Sequence, residues 1–141
     1  MDLFDKILAL SQQGFFCAQI LAMLALECDG KENADFVRAM SGLNGGIGFS
    51  GDVCGCLTGG ACVLAYFTGK GEAEELEDPE GIGMIQEFIR WFREGPGAEY
   101  GSVDCDGILE GNPANRMQRF PGIVGESLEK VMTLLEEKGM L

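Results

Sequence analysis

The chain has 141 residues, a net charge of −13, six cysteines and no histidine. With 46% apolar residues it reads as one globular domain, residues 1–141, able to bury a core without disulfides. The lack of imidazole excludes Ser-His and Cys-His nucleophilic pairs, His-ligated zinc and histidine-ligated haem, and the acidic balance argues against nucleic acid and anionic membrane surfaces as partners.

Apolar spacing is helical almost throughout, and no segment alternates with period two, which predicts an all-α domain of five to seven helices. Leu3, Phe4, Ile7, Leu8 and Leu10 form a first short amphipathic helix. This N-terminal segment lacks the basic region and long apolar run of a secretory signal, implying a cytoplasmic address where thiols stay reduced. After Gly14, a very apolar second helix carries Phe15, Cys17, Ile20, Leu21, Leu24 and Leu26 to about Cys28, and Asp29-Gly30 closes it. Glu32 to Leu43 reads as a third helix. A glycine-rich loop, residues 42–51, then feeds a fourth helix holding Cys54, for which Asp52 or Ser50 is the expected N-cap. That helix runs to about Phe67, and its uncharged stretch fits a buried core helix, not a membrane span. An acidic connector, residues 71–78, precedes a fifth helix that opens at Pro79 and turns Ile82, Ile85, Phe88, Ile89 and Phe92 inward. Gly95-Pro96-Gly97 stops it, Cys105 follows in a short turn or helix, and the last helix is expected from Ile123 to Lys138.

Chemistry in a histidine-free chain falls to sulfur. Three cysteines crowd into Cys54-Gly55-Cys56-Leu57-Thr58-Gly59-Gly60-Ala61-Cys62. Cys54 is the foremost candidate, because the first turn of a helix offers free N–H groups and a positive dipole end to a thiolate. It is expected to be the most reactive thiol. Cys56 lies two residues on, about 200° around a helix axis, so it is expected to pack away from Cys54 and react slowly. Cys62 also reads as core. Cys17 opens the second helix, whereas Cys28 lies about 16 Å further along that axis and falls outside any shared centre. Cys105 stands between Asp104 and Asp106, whose charges raise a thiol pKa.

The order Gly14-Phe15-Phe16-Cys17-Ala18-Gln19, a glycine-rich loop, Cys54-Gly55-Cys56-Leu57-Thr58-Gly59 and then Cys105 resembles the C_GCAxxG_C_C family of redox-active proteins over nearly the whole chain. A related module occurs in split-Soret cytochromes, beside haem-binding parts that this chain lacks. The resemblance implies Cys17, Cys54 and Cys105 as three of the family's four cysteines, and Gly55 and Gly59 as glycines that let a cofactor approach. Cys56 stands where the family's Cys-Gly-Ala-x-x-Gly motif has alanine. The family's last cysteine has no counterpart in Arg119-Phe120-Pro121-Gly122-Ile123-Val124, so Cys56 or Cys62 is the candidate to replace it.

These observations lead to one expectation and two alternatives. The expectation is a redox protein that transfers electrons through a thiolate-held iron–sulfur cluster or other metal, without haem, on Cys17, Cys54, Cys105 and Cys56. The first alternative is a metal-free protein with a reversible Cys54–Cys17 or Cys54–Cys105 disulfide. The second is an interaction module whose cysteines only pack and whose Gly55/Gly59 face pairs with a second copy. A redox partner of unspecified identity is implied by the first two.

Overall fold

The computed structural model describes residues 2–141, and the helical periodicity is realised in it from end to end. Asp2 starts α1 (Leu3–Gln12) by accepting the Asp5 amide at 2.8 Å. In α2 (Cys17–Cys28), Ala18, Ile20, Leu21, Ala22, Leu24, Ala25 and Leu26 are all buried, as expected of a helix apolar nearly all round. Asn33 caps α3 (Ala34–Met40) through the Phe36 amide at 3.0 Å, and a 3-10 turn (Ser41–Leu43) continues it. The chain then makes α4 (Gly55–Thr68), α5 (Gly81–Glu94), α6 (Pro96–Tyr100), α7 (Cys105–Leu109), a second 3-10 turn (Pro113–Asn115) and α8 (Arg116–Glu137).

The all-α expectation holds: five helices of 10 to 22 residues carry the fold, and the three shorter ones are connectors. Among the described residues there is no strand, only an isolated antiparallel bridge between Val53 and Asp104. No helix among them is long and apolar enough to cross a membrane.

α4 is the central element, packed against α2, α5 and α8. Its glycines make this close approach achievable. A Cβ on Gly59 would lie 3.3 Å from the Ala18 backbone on one side, and one on Gly60 would strike the Phe88 ring on the other. The Gly55/Gly59 face, which one alternative pairs with a second copy, lies against α2. Leu21, Leu64, Phe88, Phe92, Leu134 and Leu135 fill the interior around α4, and each such burial contributes about 1.5–3 kcal/mol.

Several boundaries differ from the sequence reading, among them the starts of α4, α5 and α8. Residue 54 is not helical: Cys54 (φ −51°, ψ 132°) is itself the N-cap of α4, and neither Asp52 nor Ser50 takes that place. α5 starts at Gly81, so its buried stripe is Gly81, Met84, Phe88 and Phe92, and Ile82 falls outside it, 60% exposed. α8 starts seven residues before Ile123 and contains Pro121. Arg119 helps hold this early turn down, donating to the Ile108 carbonyl and pairing with Glu110 at 3.1 Å.

Candidate thiol site

The glycine-rich loop shapes the site from one side. Asn44 is buried, accepts the Ala18 amide through Oδ1 at 3.2 Å and donates through Nδ2 to Gln19 Oε1 at 3.0 Å. It thus supplies the cap that Phe16, at the N-cap position of α2, cannot. Gly45, Gly46, Ile47, Gly48 and Phe49 all have φ between 59° and 78°. For β-branched Ile47 and bulky Phe49 this left-handed backbone is a strained state. Bonds from the Phe49 amide to the Asn44 carbonyl (2.9 Å) and from the Asp52 amide to the Gly46 carbonyl (3.0 Å) help hold the turn.

Residues 51–54 then run beside residues 103–106. The Cys54 amide donates to the Val103 carbonyl at 2.9 Å, and the Cys105 amide to the Asp52 carbonyl at 2.7 Å. This short pairing brings Cys54, just before α4, next to Cys105, the first residue of α7. Cys17, the first residue of α2, meets them because Gly55 has no side chain: a Cβ there would lie 2.6 Å from Cys17 Sγ.

Cys17, Cys54, Cys56 and Cys105 consequently line one cavity of about 40 Å³, walled by Phe16, Ile108, Leu109, Phe120 and Ile123, with Arg116 as its cation. Of the groups around them, the Cys56 thiol acts most strongly on both Cys17 and Cys54, as a hydrogen-bond donor to their ionised forms. Donation from Cys56 is the main reason the Cys17 pKa falls to about 6; burial opposes it, and the Gly45 and Ala18 amides and the Arg116 charge reinforce it. Cys54 is lowered by the same donor, against burial and the Cys17 charge, with help from the Cys56 and Leu57 amides. Cys56 is pushed well above the ordinary thiol range, since ionisation would cost it both hydrogen bonds and it is fully buried. Burial raises Cys105, as does the Cys54 charge, while Arg116 partly offsets them.

Of the residues singled out from the sequence, Cys17, Cys54 and Cys105 are brought together and Cys56 joins them. The expected 200° separation of Cys56 from Cys54 is absent, because the azimuth rule applies only where both residues are helical. Cys28 lies exposed at the far end of α2, and Cys62 packs at the edge of the core away from the cavity. Gly55 makes room for a sulfur, and Gly59 for α2. Among the described residues, no group of three or more cysteine, aspartate or glutamate side chains is arranged to hold a metal ion. The donor chemistry of the cavity suits a thiophilic metal. Arg116 escaped the sequence reading: it sits in a glycine- and proline-rich stretch with no periodicity to mark it.

A helical domain in which four cysteines from three helix ends share one cavity defines a thiol-centred protein. The family model described as "Putative redox-active protein (C_GCAxxG_C_C)" matches residues 15–134, and the chain belongs to that family. No curated protein and no solved structure matches it.

Proposed function

We propose that the chain is a two-electron thiol redox protein that cycles between free thiols and a Cys17–Cys56 disulfide. The observation that carries this reading is the convergence of Cys17, Cys54 and Cys56 on one cavity, with Cys56 the neighbour that most lowers the Cys17 thiol. With a pKa of about 6, Cys17 is a thiolate at neutral pH, the form that attacks disulfides. Its sulfur attacks one sulfur of a disulfide R–S–S–R, the S–S bond breaks, and one RS⁻ leaves. Cys56 then gives up its proton and attacks the Cys17 sulfur. The second RS⁻ departs. The Cys17 and Cys56 sulfurs are oxidised, the substrate disulfide is reduced, and the Cys56 proton goes to solvent or to RS⁻. The strength of the Cys56 effect on Cys17 favours pairing these two over the Cys54–Cys17 and Cys54–Cys105 pairs read from the sequence.

The rival reading, a thiolate-held metal or iron–sulfur centre, rests on four cysteines lining one cavity. Counting thiols in anaerobically purified protein before and after mild reduction, with peptide mapping and metal analysis on the same sample, separates the two. A gain of two thiols that maps to Cys17 and Cys56, without stoichiometric metal, is the expected result. Stoichiometric iron with visible absorbance, and no reducible pair, would select the metal centre.

A further inference from the structure

Arg116 is half-buried at the start of α8, in the wall of the thiol cavity. In a chain with 23 acidic residues, it forms no ion pair among the described residues, like Lys70, Arg90 and Arg93, but of these four it alone lines the cavity. Its guanidinium lies over the Phe49 ring, 5.3 Å from the centroid. Phe49 in turn packs edge-on against Phe16, with centroids 5.0 Å apart. Stacking fixes the plane of a guanidinium; part of the N–H edge acts on the Cys105 thiol, and the rest is left for an acceptor in that plane. The rest of the lining is almost wholly apolar and sulfur. A cation without a carboxylate partner, held beside a reactive thiolate, is a receptor for an anionic group on the molecule that meets that thiolate.

We propose that Arg116 is the specificity-determining residue of the thiol site, and that the site takes a small disulfide bearing a carboxylate near its sulfur. The inference rests on the thiol-redox reading above. The carboxylate binds the Arg116 edge, the carbon adjoining the sulfur lies against Phe16 and Phe120, and the disulfide sulfur faces Cys17. The electrons move as already written: Cys17 and Cys56 are oxidised and the carboxylate-bearing disulfide becomes two thiolates.

The test measures how fast reduced protein is oxidised by 3,3′-dithiodipropionate, a dicarboxylate, and by bis(2-hydroxyethyl) disulfide, which is neutral. Rates are followed by quenching with an alkylating agent and mass spectrometry. The ratio of the two rates, divided by the same ratio for the urea-unfolded chain, cancels both thiolate content and leaving-group differences. That normalised preference is expected to be about tenfold or more for the native protein, in keeping with a charge-assisted bidentate contact, despite the net charge of −13. It should fall to about one in Arg116→Gln and recover partly in Arg116→Lys, with helicity checked by circular dichroism. A preference of one in the native protein, or one that survives in Arg116→Gln, overturns the role of Arg116 while leaving the thiol chemistry standing. If Arg116→Gln does not fold, the Arg116→Lys variant decides, since a point charge without the planar fork must reduce the preference. Failure of both disulfides to oxidise Cys17 at all would instead remove the thiol-redox reading, and this inference with it.

Discussion

Cys17 and Cys56 have the same side chain and opposite tasks, and their surroundings divide them. Cys17 gathers donors, a neighbouring thiol and two amides, and its pKa falls to about 6; Cys56 is that donor, and its own is driven upward. The helix-end logic that pointed to Cys54 identified the right kind of place, but α2 offers the same advantage to Cys17, which is also less buried. Alkylation of Cys17 in the reduced protein should therefore show its half-maximal rate near pH 6, and Cys56→Ala should move that midpoint up by a unit or more. A midpoint unmoved by Cys56→Ala would detach the lowered pKa from this hydrogen bond. Stability carries the same signature. Between pH 6 and the ordinary thiol value of 9.0, the unfolded chain keeps the Cys17 proton and the native chain has lost it, so this group adds stability as pH rises through that window. It withdraws that stability as pH falls through 6. The urea midpoint should rise between pH 6 and 8.5 more steeply in the native sequence than in Cys17→Ser.

Two of the three α4 glycines that face its neighbours perform different services. Gly55 leaves room for Cys17 Sγ, and Gly60 for the Phe88 ring. Gly55→Ala should displace the Cys17 sulfur and raise the midpoint of its alkylation profile. Gly60→Ala should destabilise the fold by overpacking, about 1–3 kcal/mol, without changing that midpoint. Equal shifts in the two variants, read from paired pH profiles and urea curves, would mean that α4 moves as one body and that Gly55 has no local role. Helices of this kind were legible in the sequence because their apolar residues repeat with the helical period. Their ends were less so. The start of α8 is hidden by Pro121, and the extended backbone of Cys54 is imposed by pairing with residues 103–106, a stretch too short to show a period of two and too distant to be inferred locally. The grouping of Cys17, Cys54 and Cys105 could be expected from the family resemblance, whereas the inward turn of Cys56 and the approach of Arg116 depend on that tertiary pairing and on the left-handed loop.

At the scale of the whole molecule, the cavity lies where α2 and α4 meet, and both pack on α8. A Cys17–Cys56 bond would tie together the two most apolar helices of the core and close a long loop through α3 and the glycine-rich segment. The chain-entropy model assigns a crosslink over a loop of roughly 40 residues about 4 kcal/mol, as an upper figure that native strain reduces. Oxidation also removes the Cys17 thiolate and the hydrogen bonds it receives, which offsets part of the gain. The helices that the bond joins are already in contact across Gly55 and Gly59, so little backbone movement is needed and the entropic gain should prevail. The oxidised protein is thus expected to melt several degrees above the reduced one, with unchanged helical circular dichroism, at neutral pH. In Cys56→Ala the difference between oxidised and reduced samples should vanish. Calorimetry with and without reductant on both proteins reads this directly. An oxidised native protein that melts below its reduced form, or loses helicity, would show that the disulfide joins residues the fold holds apart, and would exclude Cys17 and Cys56 as the redox pair.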